Sequence, residues 1–190
     1  MAFTHTTVSG FLTKEECDTI LDFSLQNLIL KPAEVVEKNT PDYDVRKSNV
    51  VFYPYYKKFP FLLDKITKLL YNNIRVKGFD LDYEDSEFQF TEYNKGDFFN
   101  WHKDVYKDEI TEIDRYCSLV IQLNDDYEDG NLELKLSDNQ IMKVEKETGS
   151  IIVFLSNTEH QVTKVKNGNR YTLVNWIGLK KNNNHRKTLL

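Results

Sequence analysis

The 190 residues contain only two cysteines, two methionines, two tryptophans, four prolines, four histidines and seven glycines. Two cysteines, Cys17 and Cys117, cannot build a disulfide framework; they read as small apolar core residues, and a reducing compartment is expected. The low proline and glycine counts exclude collagen-like, proline-rich and broadly disordered chains. No run approaches 18 apolar residues, so no membrane span is expected. The opening MAFTHTTVSGF has no basic n-region followed by an apolar h-region, which makes cytoplasmic the expected location. Positive charge is not in excess either. Lys plus Arg is 25 against 30 Asp plus Glu, a formal net charge of −5, which argues against a generic nucleic-acid binder. The densest basic stretch, Lys180-Lys181 and Arg186-Lys187, reads as part of a solvated tail over about 181–190.

What remains is an ordinary globular composition, 40% apolar and 29% charged. At this length the expectation is one domain over residues 1–190, with room for a full core and an internal cavity. Thr13-Lys14-Glu15-Glu16 is a capping box, and Cys17, Ile20, Leu21, Ser24 and Leu28 follow at helical spacing, predicting a helix over 14–28. A second helix begins at Pro60, carries Leu62, Leu63, Ile66, Leu69, Leu70 and Ile74 as its stripe, and stops at Gly78. Val45 to Tyr53 reads as a strand between them. From Ser86 the period changes to two. Strands are expected at 86–93, 97–102, 115–123, 131–136, 140–144, 150–155, 160–165 and 170–178, with Gly96, Gly130, Gly149 and Gly168 in the gaps. Helical support over 1–80 followed by eight short strands over 86–179 predicts a mainly β jelly roll flanked by two helices on one face.

His102 and Asp104 lie two apart at a strand end, so both side chains point to one face. With His160 at the start of a later strand they make a 2-His-1-carboxylate set, which suits non-haem Fe(II) with open positions. Two His and one carboxylate also suit Zn²⁺, so a hydrolase stays open at this point. Arg170 begins the last strand and shares a face with Thr172, Val174 and Trp176. A buried arginine is expensive unless an anion meets it, and its fork fits a carboxylate.

These residues sit in longer stretches: Phe90 to Asp104 (FTEYNKGDFFNWHKD), Arg115 to Asp125 (RYCSLVIQLND), Tyr127 to Leu134 (YEDGNLEL), Gly149 to Phe154 (GSIIVF) and His160 to Gly178. Together with Gly10 to Cys17 they resemble the 2-oxoglutarate and Fe(II)-dependent oxygenases, specifically the prolyl 4-hydroxylase-like group of PKHD-type hydroxylases. The resemblance implies a double-stranded β-helix with iron held by His102, Asp104 and His160, these three being the catalytic centre. It implies Arg170 on the distal carboxylate of 2-oxoglutarate and Tyr93 hydrogen-bonding the cosubstrate, with Gln122 and Thr172 at positions that line the same pocket. Fe(II), 2-oxoglutarate, O₂ and an accompanying ascorbate are then the cofactors and cosubstrates. The reaction implied is hydroxylation of an aliphatic C–H with release of succinate and CO₂. Its partner would be a proline-containing peptide or protein, met by a monomer with no nucleic acid and no membrane. Asp129-Gly130 departs from the Gly-Gly that the family often shows there.

Residues 38–58, with Asp42, Tyr43, Asp44, Arg46, Tyr53, Tyr55 and Tyr56, resemble the family's segment that folds over a peptide; packing tyrosines in a surface loop are the alternative. The acidic loop 103–115, with Asp108, Glu109, Glu112 and Asp114, is expected beside the metal mouth, where it would favour a basic substrate or be a solvated charge run. Rival readings are a hydroxylase of a free amino acid or small molecule and a non-catalytic cupin-like metal module, the latter having no use for Arg170. Nucleobase demethylation would call for a second arginine where Trp176 stands.

Overall fold

Alternation along four neighbouring strands sorts the interior of the protein into two cores. The computed structural model describes residues 4–34, 40–74, 79–82, 87–105, 115–136 and 140–181, with the backbone alone for 79–82 and 179–181. In chain order the elements are β1 (His5–Val8), α1 (Lys14–Asn27), β2 (Lys31–Pro32), β3 (Arg46–Lys47), β4 (Asn49–Tyr53), α2 (Tyr55–Lys58), α3 (Pro60–Asn73) and β5 (Phe79–Asp82). There follow β6 (Phe88–Tyr93), β7 (Phe98–His102), β8 (Arg115–Gln122), β9 (Glu128–Asp129), β10 (Leu132–Lys135), β11 (Ile141–Lys143), β12 (Ile151–Leu155), β13 (His160–Val162), β14 (Val165–Asn167) and β15 (Arg170–Lys181). The larger sheet runs β1-β12-β8-β15-β6-β4-β2 with β5 also on β15, the smaller runs β11-β10-β13-β7-β3, and β9 pairs with β14. Among the described residues every strand pairing is antiparallel, as a jelly roll requires.

On the larger sheet Phe88, Phe90, Cys117, Leu119, Ile121, Ile151, Val153, Leu173 and Ile177 pack with Cys17 and Ile20 of α1 and Leu62, Ile66 and Leu70 of α3. Their strand neighbours face the other way. Ile152, Phe154 and Tyr93 join Leu132, Leu134, Val162 and Val165 of the smaller sheet and its flank in a second cluster. Each fully buried aliphatic side chain contributes on the order of 1.5–3 kcal/mol, so both clusters are large on the scale of a domain's net stability. The second face also carries buried polar groups: Gln89, Thr91, Ser118, Gln122, Arg170 and Thr172. An apolar outer face under helices and a polar inner face place the site between the two sheets.

The Thr13 hydroxyl accepts from the Glu16 amide at 3.2 Å while the Glu16 carboxylate accepts from the Thr13 amide at 2.9 Å, the predicted capping box. The expected strand Val45 to Tyr53 is two strands. Arg46 and Lys47 pair with Phe99 and Phe98 in the smaller sheet, whereas Asn49 to Tyr53 pair with β6 in the larger one, so the chain switches sheets at Ser48. The strand expected over 160–165 likewise divides: β13 pairs with β7 and β10, and β14 leaves to pair with β9. A one-turn helix, Tyr55–Lys58, precedes α3, and β1 is an additional strand on β12.

Lys180 and Lys181 are not tail: β15 runs through them, in register with Asp80 and Phe79 of β5. Arg186-Lys187, Gly78 as a helix stop, and the acidic residues Asp108, Glu109, Glu112 and Asp114 lie outside the described residues. Much of the 38–58 segment is framework and not lid. Tyr55 is fully buried with its hydroxyl 2.6 Å from Ser24 Oγ, and Arg46 is buried in β3, which leaves Asp42 to Asp44 as the outer part. The Asp129-Gly130 departure has a simple geometry. Asp129 takes φ +57° and Gly130 φ +59°, so aspartate, one of the residues that tolerates left-handed backbone, stands where glycine would otherwise be expected.

Candidate active site

β7 and β13 are paired with His102 opposite His160. The register slips between that pair and Val162–Phe99, a bulge that puts Phe99 and His102 on the same side, their rings 3.4 Å apart and nearly parallel. The two imidazoles have centroids 4.1 Å apart. Asp104, just beyond β7, completes the group: His102 Nε2 lies 3.7 Å from its Oδ1 and His160 Nε2 3.5 Å from its Oδ2. One ligand atom from each of the three lies within 4.8 Å of the others. That spacing fits three ligands on one face of a single ion.

Second contacts fix each group. His102 Nδ1 is 2.7 Å from the Asn100 carbonyl and His160 Nδ1 is 2.9 Å from the Thr158 carbonyl. A carbonyl only accepts, so both Nδ1 atoms donate and Nε2 is the ring atom that each histidine turns toward Asp104, the orientation a metal needs. The Ser118 hydroxyl donates to Asp104 Oδ2 at 2.6 Å and lies 3.1 Å from Ser156 Oγ, and the Asp104 amide donates to the Ser156 carbonyl. Burial pushes the Asp104 carboxyl up. His160, the Ser118 hydroxyl, His102 and the nearby Trp176 indole outweigh that and hold it below the usual carboxylate range, although the indole N–H makes no bond of hydrogen-bond geometry. His102 is pushed down to about 3, first by burial and then by His160, with Asp104 pulling against both. The unprotonated, ligand-ready state is therefore built in at His102.

The larger sheet supplies the opposite wall. Arg170 is 2% exposed and stands opposite Tyr93 on β6, its guanidinium 5.3 Å from the Tyr93 ring centroid. Thr172 sits between Thr91 and Gln122 in one row across three strands. Gln122, Tyr127, Ser150 and Arg170 line a common cleft. Among the described residues, buried Arg170 Nε has no hydrogen-bond partner. A buried guanidinium N–H without an acceptor suits an incoming carboxylate, so the residues present fit an anionic cosubstrate beside a metal ion.

All seven residues singled out from sequence thus lie on the inner faces or at their edge: His102, Asp104 and His160 converge, Arg170 and Tyr93 pair, and Gln122 and Thr172 are neighbours. Gln122 is partly committed, its amide donating to the Asn124 carbonyl at 2.7 Å. Sequence reading missed Ser118 and Ser156, which hold the carboxylate, and Tyr127, whose phenol enters the cleft. Ser118 was legible in principle, since alternation puts it on the inner face with Val120 and Gln122. Cys17 and Cys117 are free and buried, and burial pushes their thiols up to about 11 and about 12, which disfavours the thiolate at neutral pH.

Residues 88–178 match the family model of the 2OG-Fe(II) oxygenase superfamily. A PKHD-type hydroxylase of Prochlorococcus marinus is 29% identical over 129 residues, 68% of this chain and 58% of that protein. One from a Synechococcus strain is 26% identical over 112 residues, covering 59% and 50%. The chain thus spans only 58% and 50% of these relatives' lengths. In fold it is similar to a prolyl-4-hydroxylase of Pseudomonas putida (TM-score 0.66, 21% identity, 92% of each chain). It is also similar to a prolyl hydroxylase of Trichoplax adhaerens solved with a hypoxia inducible factor peptide (TM-score 0.73, 15% identity, 94% of this chain and 84% of that one). The matched stretch is thus similar to the 2OG-Fe(II) oxygenase superfamily, a class whose cofactor is Fe(II) and whose cosubstrates are 2-oxoglutarate and O₂. Among the described residues, no helix is long and apolar enough to cross a membrane.

Proposed function

We propose that the protein is a 2-oxoglutarate-dependent dioxygenase that hydroxylates an aliphatic C–H of a prolyl residue in a peptide or protein. The observation that carries this reading is the pairing of two features: three ligand atoms converging from β7, Asp104 and β13, and a buried Arg170 with an unpartnered Nε on the facing strand. His102 and His160 would hold the iron through Nε2 and Asp104 through its carboxylate. Arg170 would pair with the distal carboxylate of 2-oxoglutarate, with Tyr93, Gln122 and Thr172 shaping the walls around it.

The oxidising chemistry is that of Fe(II), 2-oxoglutarate and O₂, which yields succinate and CO₂ and places one oxygen atom in the substrate C–H. The chain's own part is orientation and exclusion. Carbonyls of Asn100 and Thr158 fix the imidazole tautomers, Ser118 fixes the carboxylate, and the Phe99 and Phe154 rings against the two histidines keep water from their flanks. The prolyl preference draws on the prolyl hydroxylases that share the fold. An aromatic surface supports it: Phe52, half exposed, lies 6.4 Å from the Trp176 ring, whose indole is beside Asp104. A proline ring is a suitable occupant of such a surface.

The test is incubation with Fe(II), 2-oxoglutarate, ascorbate and O₂ in the presence of a proline-containing peptide library, reading succinate and peptide mass. A peptide that gains one oxygen on proline with matched succinate is the expected result. Succinate released only in the presence of free amino acids would move the substrate to a small molecule. Metal binding with no succinate under any condition would leave a non-catalytic metal module.

A further inference from the structure

His102 is held from two sides by one turn of the chain. The Asp42 carbonyl accepts from the amides of Val45 at 3.0 Å and Arg46 at 2.8 Å, and the Asp42 carboxylate accepts from the Asp44 amide at 3.1 Å, which closes residues 42–46 into a tight turn. Two arms leave this turn for β7. In the first, the Asp44 carbonyl accepts from the Asn100 side-chain amide at 2.8 Å, and the Val45 carbonyl accepts from the Asn100 backbone amide at 2.9 Å. The carbonyl of the same Asn100 then accepts from His102 Nδ1 at 2.7 Å.

The second arm is Arg46. It stands opposite Phe99 in the pairing of β3 with β7, is 8% exposed, and its guanidinium lies 4.6 Å from the Phe99 ring centroid. The His102 imidazole lies against that same ring at 3.4 Å, with 14° between the planes. The imidazole covers one face of Phe99 and leaves the other to the guanidinium. Arg46 is itself pinned, because its Nε donates to the buried Ser48 hydroxyl at 2.8 Å. Charge gives no reason for a cation at this place. Burial is the first cause that pushes the His102 imidazole down and the Arg46 charge is the last, and a site for a divalent ion gains nothing from a second positive charge nearby.

We propose that Arg46 and Asn100 are positioning residues for the metal centre: from the 42–46 turn they clamp the ring plane of His102 and keep its Nε2 aimed toward Asp104 and His160. The inference rests on the reading of His102 as a metal ligand. It gives the turn a task at the metal whether or not a substrate touches it.

The test is anaerobic competition between the metal-free full chain and a chromogenic chelator for Fe(II), together with the visible spectrum of the Co(II)-loaded protein, whose bands report ligand geometry. Wild type is compared with Arg46→Ala, Arg46→Lys, Asn100→Ala and Lys47→Ala, and urea unfolding of each metal-free protein checks that it is folded. Lys47 neighbours Arg46 in β3 and pairs with Asp97 at 3.0 Å, so its variant loosens the same strand without touching either arm. Arg46→Ala and Asn100→Ala are each expected to weaken Fe(II) binding about tenfold and to shift the Co(II) bands. Arg46→Lys should recover most of the affinity, because an ammonium also seats on an aromatic face, and Lys47→Ala should bind like wild type. The sign separates position from charge: a cation acting by charge alone repels the ion, so Arg46→Ala would bind Fe(II) more tightly. Tighter or unchanged binding in Arg46→Ala or Asn100→Ala, unshifted Co(II) bands, or an equal loss in Lys47→Ala overturns the clamp and leaves His102 as a ligand. Where Arg46→Ala does not fold, Asn100→Ala carries the same decision. Wild-type protein that binds neither ion overturns the metal reading and this one with it.

Discussion

A carboxylate shared by two imidazoles is only as good a ligand as its orientation, and at Asp104 that is the work of one hydroxyl. Ser118 donates at 2.6 Å from the opposite sheet, so it ties the metal-facing side of β8 to the chain beyond β7. Ser118→Ala removes the bond without opening a large cavity. Its expected effect is a 10- to 100-fold loss of Fe(II) affinity with little change in the melting temperature of the metal-free protein, checked by competition titration against a chromogenic chelator. Arg170 makes the opposite case, a residue kept at the expense of stability. Its buried Nε has no acceptor, and apolar replacements of buried charges are often neutral or stabilising. Arg170→Met is therefore expected to raise the stability of the ligand-free protein by about 0–1 kcal/mol in urea unfolding and to abolish stabilisation by 2-oxoglutarate. A loss of stability would mean that the guanidinium is a structural strut.

At the scale of elements, strand alternation was the strongest legible signal, because period two assigns each residue of β6, β8, β12 and β15 to a face. Arg170, Thr172, Val174 and Trp176 could be placed together from sequence because that parity survives along a continuous strand. It fails where a strand leaves its sheet. Arg46-Lys47 and Asn49 to Tyr53 read as one apolar-leaning segment, and nothing local at Ser48 reveals that the two parts pair with different partners. The bulge between His102 and Phe99 is equally silent, since bulges are set by the register of the partner strand. Asp129-Gly130 shows how a local departure is absorbed. Asp129 carries a left-handed φ and an ion pair to Lys166 at 2.7 Å on the surface. Asp129→Val should lower stability by about 1–2 kcal/mol, because a β-branched side chain meets the full left-handed penalty, while Asp129→Gly should be close to neutral; urea unfolding of the pair separates backbone conformation from the lost charge. Gly149 is less forgiving: a Cβ there would strike the Leu12 carbonyl, which belongs to the turn joining β1 to α1, and its own carbonyl accepts from the Leu12 amide.

For the whole molecule, the site and the fold are linked through protons. His102 has an ordinary value of 6.5 that falls to about 3 in the folded chain. Between those values the unfolded chain binds a proton that the native one does not, so stability rises with pH and is lost as pH falls from about 6.5 toward 3. Asp104 is also held below its ordinary 3.8, so its contribution is lost only at more acid pH, in the same direction. The melting temperature of the metal-free protein should therefore decline between pH 7.5 and pH 5, earlier than carboxylates alone would bring it down. A bound divalent ion needs the same unprotonated imidazoles, and at 100 times its dissociation constant it adds about 2.7 kcal/mol. Metal-saturated protein should then melt higher at neutral pH, with that gain narrowing in acid as protons compete for the ligands. His102→Gln removes the buried imidazole while keeping a polar side chain. Melting curves from pH 7.5 to 5 should be flatter for this variant than for wild type, and it should lose the shift produced by metal. If the variant keeps the wild-type slope, burial is not what holds His102 neutral, and the ready-made ligand state must be sought in the metal itself.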